Sequence, residues 1–125
     1  MQLDEEQLET LNQGIELFNK GEFYEGHEFF EILWQQMSED EDREICLFLV
    51  RTAAAGVHLT NGSFSSLFLY QLAYKQIERG LNLSQFNVDE IKDSLKKLIE
   101  RLENCERAQL EVIAKETGLK LVFNL

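Results

Sequence analysis

The chain has 125 residues, 23 acidic against 12 basic side chains for a net charge of −11, 44% apolar residues and no proline. That length fits one domain with a real core. The charge argues against nucleic acid and against anionic membrane surfaces as partners, because both demand a positive footprint. The absence of proline favours uninterrupted helices. Cys46 and Cys105 lie far apart in sequence and fit a reducing compartment. The acidic, polar N-terminus does not resemble a signal peptide. Residues 52–74 carry almost no charge, yet Asn61, Gly62, Ser63 and Gln71 interrupt them, so they make a poor membrane span. A cytoplasmic protein is the expectation.

The first helix has a clear start. Asp4 is placed to cap it, Gln7 completes a capping box, and Leu3 and Leu8 occupy staple positions. Leu8, Leu11, Ile15 and Phe18 continue as a helical stripe, and Asn19-Lys20-Gly21 ends it. A second helix is predicted over 23–37, with Phe23, Gly26, His27, Phe30, Leu33, Trp34 and Met37 on one face. The acidic run 39–42 suits the start of a third helix, predicted over 42–61 and apolar nearly all round from Ile45 to Val50, as in a central buried helix. A fourth is predicted over 63–79, presenting Phe64, Leu67, Phe68 and Leu72. Asn87, Glu90, Phe86 and Ile91 carry the capping box and staple of a fifth, whose stripe is Ile91, Leu95, Leu98, Leu102 and Cys105. It continues to Thr117 or breaks near Asn104. Residues 119–125 are expected to be an extended tail laid on the bundle.

The segments 18–23 (Phe-Asn-Lys-Gly-Glu-Phe) and 59–64 (Leu-Thr-Asn-Gly-Ser-Phe) share one pattern, 41 residues apart. Each joins two helices by a tight turn. The expected fold class is therefore all-α: a compact bundle of five or six helices built on two consecutive αα-hairpins, one domain over 1–125. Tetratricopeptide repeats use similar turns at a period of about 34 residues, so that likeness is only architectural.

Phe18, Asn19, Gly21, the run Phe23-Tyr24-Glu25-Gly26-His27-Glu28, and then Glu31 and Trp34 resemble the signature of the domain-of-unknown-function 309 family. In that family an aromatic residue precedes Glu-Ala-His-Glu, a further Glu and a Trp. The apolar stretch closing in His58-Leu-Thr-Asn-Gly62 is similar to its second motif. Gly26 stands where the family has Ala, Ser63 where Asn is common, and Arg51 where an uncharged polar residue is expected. The resemblance spans about residues 14–80, leaving a C-terminal helix and tail over 87–125. It implies a compact all-α fold and a shared His/Glu cluster, and no established activity.

The residues themselves define a candidate site. His27 and Glu31 are one turn apart and their side chains can meet, with Glu28 at the same edge. Arg51 and His58 are seven residues apart on the third helix, with Ala54 and Ala55 between them. If the second and third helices run antiparallel, His27 and Glu31 face Arg51 and His58 across a narrow cleft. Three readings stand open. The cluster is a polar network that fixes helix register. Or His27, Glu31 and His58 form a two-histidine, one-carboxylate set for a divalent metal, although zinc-protease spacing would require His at position 31 and a di-iron bundle would require Glu at 24. Or His27, Glu28 and Glu31 do metal-free acid/base chemistry, hydrolase-like, on an anionic substrate held by Arg51. Tyr24 and Trp34 are candidate ligand-lining aromatics. The leading expectation is an uncharacterised protein whose His/Glu/Arg cluster binds a small polar or anionic ligand, without a cofactor. The alternatives are a non-catalytic helical interaction module, which includes a homo-oligomer, and a small enzyme.

Overall fold

A computed structural model describes residues 1–124. Its element order is α1 (Glu5–Asn19), α2 (Phe23–Gln36), α3 (Asp40–Thr60), α4 (Ser65–Glu78), α5 (Val88–Glu103), a 3-10 turn (Arg107–Gln109) and α6 (Leu110–Lys115). Consecutive helices pack in order from α1 to α5, and α6 returns to α3. The architecture is all-α, as the periodicity predicts, with α1–α2 and α3–α4 as hairpins. Among the described residues the only β-type pairing is an isolated antiparallel bridge between Phe86 and Phe123.

Local chemistry explains the boundaries. The Asp4 side chain accepts from the Gln7 N–H at 2.8 Å while Gln7 Oε1 accepts from the Asp4 N–H at 3.1 Å, the expected capping box. Gly21 (φ 84°) ends the first hairpin turn and lets the Glu22 N–H reach the Leu17 carbonyl at 2.9 Å. Gly62 (φ 71°) does the same at the second, where the Ser63 N–H reaches the His58 carbonyl at 2.9 Å. The same six-residue closure recurs at the end of α4, with Gly80 and a Leu81-to-Gln76 bond of 3.0 Å.

Close approach of helices rests on three glycines facing aromatic rings or backbone. A Cβ on Gly56 would fall 2.3 Å from the Phe23 ring, and one on Gly14 would fall 2.6 Å from Phe30. One on Gly26 would meet the α1 backbone at Gly14 O, 3.2 Å away. Phe18, Phe23 and Phe30 form the aromatic centre, with Phe18 and Phe23 edge-to-face at 5.2 Å. One apolar cluster gathers side chains from all six helices and from Leu119 and Leu121 of the tail.

Four expectations need correction. Helix α3 begins at Asp40, two residues early, because Asp40, Glu41 and Asp42 together form an acidic first turn that its dipole favours. Helix α4 buries Ser66, Tyr70, Ala73 and Gln76, while Phe68 is exposed. Its buried polar side chains are accommodated by bonds to Ser63 and Glu44, which periodicity of apolar residues cannot register. Asn87 does not cap α5 with its side chain. It holds the tail instead, accepting from the Val122 N–H at 2.8 Å and donating to the Lys120 carbonyl at 3.0 Å. Finally, α5 stops at Glu103, so Cys105 lies beyond its stripe. The tail runs extended over the bundle as expected, with Leu125 outside the described residues.

Candidate functional site

Helix α2 buries Phe23, Gly26, Phe30 and Leu33. One edge of that face is left open, and along it lie Tyr24, His27, Glu31 and Trp34, spaced so that each follows the last by about one turn. Helix α3 runs antiparallel alongside. Phe23 sits on Gly56 at one end of the seam, and Trp34 is stacked under the Arg43 guanidinium, 4.5 Å from the ring centroid, at the other. Arg43 also donates to the Met37 and Trp34 carbonyls at 3.1 and 3.4 Å. It thereby supplies the positive charge that the last turn of α2 lacks.

His27 Nε2 lies 3.6 Å from Glu31 Oε2, with side chains 26% and 45% exposed. This is an ion-pair distance rather than a hydrogen bond. Tyr24 is 61% exposed. Glu28, one turn on, raises its phenol above the ordinary pKa, first as hydrogen-bond acceptor and then as a charge. Tyr24 also borders a shallow recess of about 330 Å³ shared with Val57 and Asn61.

The two halves of the expected cluster fall on different flanks of α3. A helix advances about 100° per residue. Residues 43, 50 and 57 therefore share one flank, 44, 51 and 58 share the other, and Leu47 and Ala54 lie between. Arg43 and Val57 meet α2. Glu44 meets α4 through Gln76, so its flank belongs to α4. Arg51 accordingly lines a groove of about 580 Å³ between α3 and α4 with Gln76 and Arg79. His58 is exposed near the end of the same stripe, its carbonyl engaged in the Gly62 turn. The structure thus unites His27 with Glu31, and Glu28 with Tyr24, but sets Arg51 and His58 apart from them. Sequence periodicity could not tell which flank of α3 each neighbour would take.

Among the described residues no group of three or more His, Cys, Asp and Glu converges as metal ligands. Of the postulated set His27, Glu31 and His58, only the first two come together. Arg43 and Gln76 were missed by the sequence reading. Arg43 carries a signal in hindsight, since an Arg in the first turn of α3 is brought by a short loop onto an aromatic near the end of α2.

The molecule is thus a small all-α protein of paired hairpins with a half-open polar and aromatic stripe along one helix seam. A model of the domain of unknown function (DUF309) matches residues 11–67, from α1 into the first turn of α4. The match covers a little under half of the chain and supports the resemblance to that family. Comparison with curated proteins and with solved structures gives no match. Among the described residues no helix is long and apolar enough to cross a membrane.

Proposed function

We propose that the protein is a non-catalytic helical docking module whose working surface is the open side of the α2–α3 seam. The observation that carries this is the stripe Tyr24, His27, Glu31 and Trp34, three turns long and about 15 Å from end to end. It is only half covered by the fold. Beside it run Leu47, Val50, Ala54 and Val57, all partly exposed, so the seam has an apolar floor with an aromatic residue at each end. These dimensions suit one face of an amphipathic helix laid in a groove, and aromatic anchors supply much of the binding energy in such contacts.

Charge defines the partner. Half-exposed Glu31 in the stripe and exposed Glu28 at its edge give the seam negative charge, and Arg43 is engaged by Trp34 and the α2 carbonyls. The complement is a basic, apolar-faced segment of another protein. A second copy of a chain with net charge −11 would meet its own repulsion. Hydrolytic chemistry at His27, Glu28 and Glu31 has weaker support, because the His27 and Glu31 side chains are 26% and 45% exposed and such chemistry gains from a site closed to water. The free thiols of Cys46 and Cys105 support a reducing, cytoplasmic setting.

The test is a ¹H–¹⁵N NMR titration of the labelled protein with a synthetic Leu/Lys amphipathic helical peptide. Shifts confined to Tyr24, His27, Glu31, Trp34, Val50 and Val57 are expected. Shifts confined to other helices would refute the assignment.

A further inference from the structure

At its Tyr24 end the α2–α3 seam runs into the recess of about 330 Å³. That volume is at the small end for a ligand pocket and suits one long side chain. Buried Phe23 and partly exposed Val57 give apolar wall, and Tyr24 gives an aromatic ring that is 61% exposed. Glu22 and Glu25, both exposed, supply two carboxylates. Thr60 and Asn61 close the far side. The Thr60 hydroxyl donates to the Gly56 carbonyl at 2.8 Å, so its oxygen is free to accept.

The electrostatics of the recess have one sign. Helix α2 begins here and α3 ends here, so the opposite ends of two antiparallel dipoles offset each other. Glu22 and Glu25 are then left to set the potential, and neither forms an ion pair among the described residues. The nearby Lys20 is paired with Glu16 at 3.0 Å. A hard metal ion fits poorly, since it takes about six or more oxygens and part of this lining is hydrocarbon. An organic cation on an aliphatic stem matches every part. Its stem lies on Val57 and Phe23, and its charge lies between the carboxylates and the Tyr24 ring. A guanidinium suits this better than an ammonium. It is planar, stacks on aromatic faces, and offers forked donors to several oxygens at once.

We infer that the Tyr24 recess is an arginine subsite: the segment that docks on the seam places one arginine side chain there, stacked on Tyr24 and bonded to Glu22 and Glu25. The partner's chemistry is thereby narrowed from basic to arginine-bearing. The inference rests on the docking reading for its natural occupant, but the binding of an arginine side chain does not.

The experiment titrates the ¹⁵N-labelled full chain with N-acetyl-L-arginine amide, its lysine counterpart and its neutral citrulline counterpart, none of them long enough to span the seam. Saturable shifts of the Tyr24, Glu25, Val57 and Asn61 amides are expected with the arginine probe, and weaker binding with the lysine probe. Citrulline should bind at least about fivefold more weakly than arginine, because it loses both the ion-pair and the cation–π contributions. Tyr24→Ala and Glu25→Gln should each weaken arginine binding while the remaining spectrum stays native, both side chains being exposed. Glu9→Gln, an equal change of charge on α1, should leave it intact. No saturable shift at the recess with arginine, lysine or citrulline binding as tightly as arginine, or full binding by Tyr24→Ala would each overturn the subsite. Arginine shifts at the recess without any response to the Leu/Lys peptide would uphold the subsite and refute only the docking reading.

Discussion

Asn19, the last residue of α1, holds Leu121 of the tail by both backbone groups of that residue. The Asn19 Nδ2 donates to the Leu121 carbonyl at 2.8 Å, and its Oδ1 accepts from the Leu121 N–H at 2.9 Å. Asn87 grips the opposite edge, and Lys120 Nζ donates to the Asn19 carbonyl at 2.6 Å. Two side-chain amides thus do for the tail what neighbouring strands would do in a sheet. One of the motif residues, Asn19, thereby becomes architecture.

Asn19→Ala should therefore lower stability by about 1–3 kcal/mol, because it leaves two polar backbone groups of a partly buried segment unpaired. Denaturant unfolding measures the loss. Hydrogen exchange should show the Leu121 amide released first, and an unchanged Leu121 exchange rate would mean the tail is held by its leucines alone.

Gly56→Ala should be among the most damaging single-methyl changes in the protein. Its Cβ would fall 2.3 Å from the Phe23 ring, which is itself buried against Phe18. A loss of roughly 1–3 kcal/mol is expected, as for overpacking generally. Gly26→Ala should cost less, since its contacts begin at 3.2 Å and the substitution gains about 1 kcal/mol in helix propensity. Thermal melts of the two variants would compare them, and the reverse order would contradict the packing described for the two seams.

His27→Ala should change stability by less than about 1 kcal/mol, the range of exposed i,i+4 ion pairs. A buried network, one of the three sequence readings, would instead cost several degrees of melting temperature. A loss above about 3 kcal/mol would restore the network reading.

Burial, then the Asp42 charge, pushes the Cys46 thiol up to about 12. Alkylation of the folded protein near pH 8 should modify the half-buried Cys105 and spare Cys46 until the chain unfolds. The linkage has a definite sign. Folded Cys46 keeps its proton where the unfolded thiol, ordinarily near 9, has lost it. Its contribution is complete below the unfolded value and declines as pH rises from there to about 12. Cys46→Ala should flatten that alkaline decline in a pH series of urea melts, and an unaltered slope would assign it elsewhere.

How far the sequence foretold this molecule depended on the kind of signal. Caps and stops were legible because they are local: Asp4 with Gln7, and Gly21 and Gly62 at the two turns, act within a few residues. The central position of α3 was legible from its apolar girth. The buried side of α4 was not, because Tyr70, Ser66 and Gln76 are buried through partners on other segments, and Phe68 is left outside. Asn87 looked like a cap because Glu90 follows it in the right place, but the tail arrives from 33 to 35 residues away and takes its side chain. The candidate site was legible one helix at a time. His27 and Glu31 pair as their spacing implies, and Arg51 and His58 do share a stripe. Which flank of α3 faced which neighbour is a tertiary fact, and it separates the expected cluster into two groups of residues.

The most direct test of the docking account uses Trp34, the chain's single tryptophan and one end of the proposed surface. Its fluorescence should shift to the blue and saturate as a Leu/Lys amphipathic peptide is added, and should not respond to the Leu/Glu counterpart. Glu31→Lys should weaken the interaction at least about fivefold, whereas Glu100→Lys, which changes net charge equally on α5, should leave it nearly intact, since steering acts through local potential. Equal weakening by the two substitutions, or no response of Trp34 to either peptide, would contradict a docking surface on the α2–α3 seam.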